Sequence, residues 1–551
     1  RGAIPGFCEK GMVATMCKRQ TLYYGGDILT MEEGPAPEAL LVEEGRIRAV
    51  GSLGELRALC GPAAREENLE EKALLPAFID SHSHITAYAQ TMGLVSLEGT
   101  DSFEEIVRRI RDFRTANRVK PGEWIMGFGY DQNFLREKRH PDRRLLDGAA
   151  PENPVLITHA SGHMGVGNTD ALERMNIQSD TPDPAGGRIG REEDGRQPNG
   201  YLEETAFTSG SAAVPTPSLE QLCRQLEQAQ EAYFRRGIVT VQDGLTRQNE
   251  WRLLTHMAEQ GRLRADVVAY PDMQRCPALL DPAGDYFRRY RGGLKIGGGK
   301  LFLDGSPQGR TAWMSAPYEG ETAYAGYPIH EDGQVEAFME EAVRRRLQLL
   351  VHCNGDAAAE QMIRAYSRAA DGRDIGLRPV MIHAQLVRED QLRRMAALGM
   401  FASFFVAHVY YWGDVHRRNF GRTRAAAISP ARAAIRAGVP YTFHQDTPVL
   451  PPDMLDTIWC AVNRVTREGV LLGGEERITP YEALKAVTIN AAAQYFEEGE
   501  KGSIRAGKRA DLVILDRSPL TCPPEEIRRI RVLRTIKAGE TVYEWDGREE
   551  E

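Results

Sequence analysis

His82 and His84 stand out in this chain because their spacing lets two imidazoles act on one point. They follow a mostly apolar run that begins at Leu74, is followed by the polar residues Asp80 and Ser81, and predicts a buried strand. Residues two apart on a strand project from the same side, so both ring nitrogens face one position. Neutral imidazole is the commonest protein ligand of zinc and related divalent ions. The pair is therefore predicted to form half of a catalytic metal site, with a chance surface turn as the alternative.

Further apolar runs recur along the chain, separated by helical stretches, and several end in polar residues. With the first run they make eight strand–helix units, whose strands are predicted at residues 74–80, 237–243, 265–270, 300–304, 347–352, 379–383, 401–406 and 439–446. Eight such units predict an α/β fold, a (β/α)8 TIM-like barrel. In such barrels the active site lies at the carboxyl ends of the strands.

The two ends of the chain have a different texture, with short β segments and tight turns. Residues 21–75 and 500–545 are each too small to close a core, so they are predicted to pair into one composite β-sandwich domain. The barrel is predicted to span 76–499. Residues 101–235 do not fit the repeat and are predicted to be an insertion after the first strand that folds over the barrel mouth.

Composition excludes several classes of protein. The 551 residues are 42% hydrophobic and 27% charged, which predicts a soluble globular chain with material for a large core. The net charge of -9 provides no basic footprint, so we expect no nucleic-acid partner. No apolar stretch is long enough to span a bilayer, so we expect no membrane partner and a cytoplasmic protein, with a homodimer as a candidate assembly. The eight cysteines contain no Cys-x-x-Cys pair and are expected to be reduced thiols.

Four more residues with metal-binding chemistry fall at strand ends. Lys300 opens the fourth predicted strand, His352 and His383 end the fifth and sixth, and Asp446 ends the eighth. Taken singly, a strand-end histidine is more often a buried, hydrogen-bonded residue, and a lone aspartate is usually a helix cap. With the histidine pair, however, six such side chains converge on one rim of the predicted barrel. This convergence favours a metal site.

With these residues in place, the chain resembles the amidohydrolase superfamily of metal-dependent hydrolases. Within it, the sequence is similar to the amidohydrolase family 3 branch that includes N-substituted formamide deformylases. The stretches that carry the resemblance cover nearly the whole chain and are Pro76–His84, Ser161–Asn168, Gly299–Ser306, Val351–Asp356, Ile382–Gln385, Gln445–Val449 and Gly502–Leu515.

The resemblance implies a centre with one or two divalent ions, with zinc expected. His82 and His84 would hold the first ion, and His352 and His383 would hold a second. Lys300 would bridge both ions as a carboxylated lysine. An unmodified ammonium group has three donors and no lone pair, so this lysine must lose its proton or become a carbamate before it can bind a cation.

Asp446 would bind the first ion and serve as the general acid/base, taking a proton from the attacking water and passing it to the leaving nitrogen. The implied activity is that of a metal-dependent hydrolase acting on C–N bonds in an amide, an N-substituted formamide or a cyclic amide. Two alternatives stay open: an ester or lactone hydrolase with the same barrel, and a non-catalytic, metal-free binding protein. The second alternative would be expected to lack ligands, and here all six positions are filled.

Other residues are candidates for the wall of the substrate pocket. His163, in a glycine-rich part of the insertion, is a candidate for orienting the scissile carbonyl, with a packed loop histidine as the alternative. Aromatic loop segments at 130–134 and 408–412 would suit an apolar substrate group, with ordinary packing as the alternative. The pocket candidates are Tyr130, Gln132, Phe134, Tyr411 and Trp412.

The chain departs from the family pattern at two places. The loop after the fourth strand reads Gly305–Ala312 without the Leu-Gly-Ser sequence of many relatives, and His444-Gln445 precedes Asp446 where a Gly-Ser type pair is usual. Both departures are expected beside the substrate. They bear on substrate identity more than on reaction type.

Overall fold

The computed structural model describes residues 19–132, 134–159 and 162–548. Asn133 of the first aromatic segment and Ser161 of the glycine-rich segment lie outside the described residues. The chain forms two compact units, one containing the residues up to Ile85 together with those from Gln230 onward, and the other containing Thr86–Ala229.

The strands have the following bounds: β1 Gln20–Tyr24, β2 Asp27–Ile28, β3 Ala39–Glu43, β4 Arg46–Gly51, β5 Arg65–Asn68, β6 Ala73–Pro76, β7 Phe78–Ile79, β8 Leu94–Ser96, β9 Ile125–Tyr130, β10 Val155–His159, β11 Met164–Gly167, β12 Gly187–Arg191, β13 Pro198–Glu204, β14 Ile238–Thr246, β15 Asp266–Pro271, β16 Leu294–Ile296, β17 Gly299–Phe302, β18 Leu349–Cys353, β19 Val380–His383, β20 Phe401–Phe404, β21 Tyr441–Phe443, β22 Leu512–Leu515, β23 Val532–Lys537 and β24 Glu540–Glu544.

The α-helices are α1 Leu53–Leu59, α2 Ile85–Met92, α3 Phe103–Ala116, α4 Arg143–Ala149, α5 Thr169–Arg174, α6 Thr205–Ser211, α7 Leu219–Arg235, α8 Gln248–Glu259, α9 Asp332–Arg344, α10 Asp356–Ala369, α11 Glu389–Ala397, α12 His408–Tyr411, α13 Gly413–Ala426, α14 Ala431–Ala437, α15 Met454–Asn463, α16 Pro480–Ala486 and α17 Ile489–Gln494. Short 3-10 turns occupy Pro277–Leu280, Gly474–Glu476 and Pro524–Arg529. Within the described ranges, no helix combines the length and apolarity that crossing a membrane requires.

Two parallel sheets make up the centre of the first unit, in the orders β16-β15-β14-β7 and β17-β18-β19-β20-β21. Every predicted barrel strand is represented in them, and helices follow most of these strands, so the fold is mixed α/β as expected. An isolated parallel bridge joins Asp272, just after β15, to Lys300 in β17, an edge strand of the other sheet. Just after the edge strands β7 and β21, the amide of His84 donates to the carbonyl of Thr447 over 2.8 Å. The closed eight-stranded barrel stays a prediction.

The first predicted strand, 74–80, is wrong as a single element. Strand β6 pairs with β22 in a different sheet, and only β7 joins the parallel sheet through β14. The partner changes between neighbouring residues, since the amide of Ala77 donates to Asp511 and the amide of Phe78 donates to Gly237. A continuous apolar run carries no sign of such a change, because both halves are buried.

Both ends of the chain contribute to two further sheets. One sheet, in the order β4-β3-β1-β5, comes from the amino-terminal part alone. The other, β2-β6-β22-β23-β24, joins two strands from the amino-terminal part to three from the carboxyl-terminal part, with β6 paired to β22. Residues from the two ends share one apolar cluster, which includes Tyr23, Leu40, Leu74, Ile514 and Ile536.

The second unit has its own sheet and core. Its six strands lie in the order β12-β13-β11-β10-β9-β8. Helix α3 packs on β8 and β9 and helix α4 on β11 and β13, around a cluster that includes Ile106, Ile110, Leu146 and Ile157. Its bounds, Thr86–Ala229, are shifted from the insertion predicted at 101–235. The role of this unit as a cover for the barrel mouth stays a prediction.

A buried network of charges ties the carboxyl-terminal segment to the start of β15 in the first unit. Asp266 accepts from Lys501, and it also lies 2.7 Å from Arg509 Nη1 and 2.8 Å from Lys537 Nζ. Lys501 Nζ lies 2.9 Å from Glu497 Oε2. Burial alone would raise the pKa of Asp266, but the three cations outweigh it and hold that pKa well below its usual range. The aspartate therefore remains charged inside the protein.

Asp266→Asn is expected to lower the free energy of unfolding by about 3–5 kcal/mol at pH 7, because it removes the buried negative charge that Lys501, Arg509 and Lys537 share. A carboxyl group with a depressed folded pKa stabilises above its unfolded pKa of about 3.9 and loses that contribution as the pH falls further. Thermal unfolding should thus show a large gap between wild type and variant at pH 7 that narrows below about pH 4. Asp285→Asn, which breaks the exposed pair with Arg291, is the control and should cost less than about 1 kcal/mol. Equal shifts in the two variants would contradict the stabilising role of the network.

Candidate metal centre

The first group of potential ligands lies where strands β7 and β21 end. His82 Nε2 and His84 Nε2 lie 3.4 Å and 3.3 Å from the same carboxylate oxygen, Asp446 Oδ1. One ligand atom from each of these three residues falls within 4.8 Å of the others. The amide of Asp446 also donates to the carbonyl of His82 over 3.2 Å, which ties the two strand ends together. The predicted pair and the predicted aspartate therefore share one small volume.

Lys300 borders this group from strand β17. Its Nζ lies 3.2 Å from His82 Nε2, and the side chain is buried. Burial lowers the pKa of Lys300 to about 7, against the opposing charge of Asp446. A substantial fraction of this amine is therefore uncharged near neutral pH and has a lone pair available.

The second predicted pair of histidines adjoins the first group. His383 Nε2 lies 3.1 Å from His352 Nδ1, with ring centroids 4.6 Å apart. The His383 ring centroid lies 5.7 Å from that of His82. A histidine not expected as part of the centre, His444, places its ring 5.2 Å from both His82 and His383. All six predicted ligands are thus in one connected cluster.

Burial keeps these imidazoles neutral. It lowers the pKa of His352 to about 4 and that of His444 to about 3, and it holds those of His82 and His383 well below the usual value. Burial would raise the pKa of Asp446, but the hydrogen bond from His84 and the positive charge of Lys300 help to outweigh it, so that pKa is lowered. Neutral nitrogens beside one ionised carboxylate are the donor set that zinc and similar ions require. The residues present fit a divalent metal.

The tautomer of His82 is set by a residue that the sequence interpretation missed. His82 Nδ1 lies 2.6 Å from Gln242 Oε1, and the amide nitrogen of Gln242 donates to the carbonyl of Ser81 and to Tyr495. The glutamine oxygen must therefore accept from His82 Nδ1–H. This leaves the lone pair of His82 on Nε2, which faces Asp446 and Lys300.

Asp304 orders the loops beside His352. Its oxygens accept from the amides of Asn354, Gly355 and Trp313 over 2.9, 2.7 and 3.0 Å. Burial raises the pKa of Asp304 to about 7. The side chain of Asn354 in turn lies 3.0 Å from His352 Nε2. This carboxylate therefore holds the turn that orients a predicted ligand.

Gly355→Ala is expected to destabilise the protein by about 1–3 kcal/mol, because a Cβ at this position would overlap the carbonyl oxygen of Trp313. The backbone would have to move, and the amide contacts to Asp304 would weaken. Gly333→Ala, early in α9 with open space around its Cβ, is the matched control and should be neutral or stabilising. Thermal unfolding and metal content measure the two effects. A Gly355→Ala protein as stable as the control variant would contradict this account of the turn.

The predicted pocket residues fall in both units. In the first unit, Tyr411 donates to Asp456, and the Trp412 ring lies 4.5 Å from that of His408. In the second unit, Tyr130 is buried with its hydroxyl 3.1 Å from His140 Nδ1, and His163 is exposed beside Glu204 at 3.2 Å.

The remaining two pocket candidates also lie in the second unit and differ in exposure. Gln132 is partly buried, whereas Phe134 is 74% exposed. Within the second unit, Phe134 is therefore a surface side chain. Pocket roles for both residues stay predictions.

A parallel α/β scaffold that gathers neutral histidines and a carboxylate at its strand ends is typical of metal-dependent hydrolases. The sequence model of the amidohydrolase family, Amidohydro_3, matches residues 65–543, and the chain belongs to this family. The resemblance predicted from the sequence is thereby confirmed.

Individual relatives match along most of their length. The chain is 28% identical over 530 residues to N-substituted formamide deformylase of Arthrobacter pascens, covering 93% of this chain and 95% of that protein. It is 26% identical over 541 residues to the putative amidohydrolase YtcJ of Bacillus subtilis, covering 95% and 99%. An uncharacterized metal-dependent hydrolase from Pyrococcus furiosus superposes with a TM-score of 0.72 at 26% identity, covering 91% of this chain and all of the other. These comparisons support a TIM-barrel-type hydrolase fold.

Proposed function

We propose that the protein is a divalent-metal-dependent amidohydrolase that cleaves the C–N bond of an amide, an N-substituted formamide or a cyclic amide. The observation that carries the proposal is the convergence of His82, His84 and Asp446 within 4.8 Å, with buried Lys300 beside them. Peptide and formamide bonds resist uncatalysed hydrolysis, and a site with this donor set is suited to their cleavage.

One or two ions, with zinc expected, would be held by two sets of residues. His82, His84 and Asp446 would bind the first ion, and His352 and His383 the second, with carboxylated Lys300 shared between them. A bound divalent ion would supply Lewis-acid chemistry, making water nucleophilic at neutral pH and polarising the substrate carbonyl. The chain itself contributes the orientation of each nitrogen and the exclusion of bulk water from a buried cluster.

Asp446 is assigned the proton transfers. Its carboxylate stays ionised at neutral pH, so it can accept a proton from the attacking water. The protonated carboxyl group then donates to the leaving nitrogen, which departs as a neutral amine. This return of the proton restores the carboxylate for the next cycle.

N-substituted formamides are the substrate class to test first, since the formamide deformylase matches this chain along almost its full length. The aromatic side chains of Tyr411 and Trp412 are proposed to bind an apolar substituent, and the role of His163 in orienting the carbonyl stays a prediction. An ester or lactone would be attacked by the same chemistry and is the second candidate. The cytoplasmic location and the homodimer stay predictions.

A hydrolysis screen tests the proposal. Zinc-loaded protein is assayed on N-substituted formamides, other amides, hydantoin-like rings and esters, with metal-stripped protein as the control. Metal-dependent turnover of an amide-type bond is the expected result. Turnover of esters alone would favour the second candidate, and a metal-loaded protein without any turnover would favour a binding function.

A further inference from the structure

A chain of buried hydrogen bonds leads from the backbone to the imidazole of His383. Ser81 Oγ lies 2.9 Å from the carbonyl oxygen of Phe443 and 3.1 Å from Ser403 Oγ. Ser403 Oγ lies 2.8 Å from His444 Nδ1, and His444 Nε2 lies 3.2 Å from His383 Nδ1. The four side chains are buried, so their polar atoms depend on one another for hydrogen bonds.

The carbonyl at one end fixes the direction of the chain, because it can only accept. Ser81 donates its single hydroxyl proton to Phe443 and therefore accepts from Ser403. Ser403 in turn accepts from His444, whose proton is then on Nδ1. His444 Nε2 is left as the acceptor for the Nδ1–H of His383. This is the one proton arrangement that makes every hydrogen bond in the chain.

The arrangement leaves the lone pair of His383 on Nε2. That nitrogen lies 3.1 Å from His352 Nδ1, where the second ion is proposed. His352 Nε2 lies 3.0 Å from the side-chain amide nitrogen of Asn354 and 3.3 Å from the carbonyl oxygen of Gly305. When no ion is bound, His352 can hold its proton on Nδ1 and donate it to His383. A neutral His352 that bound an ion through Nδ1 would carry its proton on Nε2 instead, where the Gly305 carbonyl can accept it.

We propose that Ser81, Ser403 and His444 form a proton-orienting relay that holds His383 in the tautomer that binds the second ion. The inference rests on the proposed metal-dependent function. His444 is a positioning residue, since it acts through His383 and is buried away from solvent. The first ion should not depend on this relay, because His82 takes its tautomer from Gln242.

The relay is tested by measuring the two zinc affinities separately, through competition with a chromophoric chelator. His444→Phe keeps the ring volume and removes both hydrogen bonds. It is expected to weaken the second zinc by about 10–100-fold, the usual cost of losing an outer-shell partner, and to leave the first zinc unchanged. Ser403→Ala should also weaken binding of the second zinc. Ser403→Thr keeps the hydroxyl and should bind the second zinc as tightly as wild type does.

Cobalt loading gives a second readout, because the visible spectrum of the second cobalt ion should change in His444→Phe while that of the first does not. His416→Phe is the matched control: it replaces another buried histidine, which bonds His408 at 3.0 Å and belongs to no part of the relay. If His444→Phe does not fold, the Ser403 pair of variants decides.

The outcomes separate the two levels of the account. Wild-type protein that binds two ions, with second-ion affinity unchanged in His444→Phe and Ser403→Ala, overturns the relay and leaves the proposed function standing. Equal losses at both ions would mean a general structural effect, which also overturns the relay. Wild-type protein that binds a single ion overturns the relay and leaves the proposed function standing. Wild-type protein that binds no divalent ion overturns the proposed function and the relay together.

Discussion

Replacing His82 and His84 together by asparagine is expected to abolish hydrolysis and to remove the first ion. Both nitrogens lie 3.3–3.4 Å from Asp446 Oδ1, so the double variant removes two of the three side chains proposed to hold this ion. Enzymes typically accelerate their reactions by about 10⁶-fold or more, and loss of the ion should bring the rate close to background. Elemental analysis and steady-state kinetics on the identified substrate measure the two effects.

The fold should survive this change, because asparagine is smaller than histidine and polar. Circular dichroism and thermal unfolding of the double variant should therefore resemble those of wild type. His256→Asn, on helix α8, is the control and should keep both metal and activity. Unchanged metal content in the double variant would rule out this pair as ligands.

Lys300→Ala is expected to lower kcat/KM by at least the roughly 100-fold that loss of an outer-shell partner costs, and to reduce binding of the second ion. The physical reason is that buried Lys300, next to His82, is proposed to carry a carbamate. In this proposal the uncharged amine would attack carbon dioxide, form a C–N bond and release one proton. The resulting carboxylate would have the two oxygens that a bridge between ions requires.

Two further measurements test for the carbamate. Native mass spectrometry of wild type should show the added mass of one carbon dioxide, which is absent in Lys300→Ala. Short-chain carboxylic acids should partly restore activity to Lys300→Ala, whose cavity can admit them, and should not restore it to Lys300→Met, whose cavity is filled. A map of metal-loaded protein with a bare Lys300 amine would refute the bridge.

The strands were largely predictable, because buried parallel strands are continuous apolar runs and these recur with helices between them. The division of residues 73–79 between β6 and β7 was not predictable, because it depends on which neighbouring strand pairs with each backbone amide. Strand β16, only Leu294–Ile296, was missed for another reason: a run of three residues carries too little pattern. The pairing of β6 and β7 with different sheets is a long-range feature, and it has no local sequence signal.

The histidines and Asp446 were predictable as candidate ligands from their positions at strand ends, and Lys300 from the family resemblance. The residues that support them were not predictable. Gln242 and Ser403 lie inside apolar strands, where a buried polar residue signals a required hydrogen bond without naming its partner. His444 was noticed as a departure from the family pattern, but its contact with His383 needs the folded chain. Residue type and period identify the groups that do chemistry, and only the fold reveals the groups that orient them.

The most direct test of the central claim is the rate of N-substituted formamide hydrolysis as zinc is added back to metal-stripped protein. The account predicts an inactive stripped protein whose rate rises with added zinc and levels off at one or two ions per chain. Stripped protein that hydrolyses the formamide as fast as the loaded protein would contradict it.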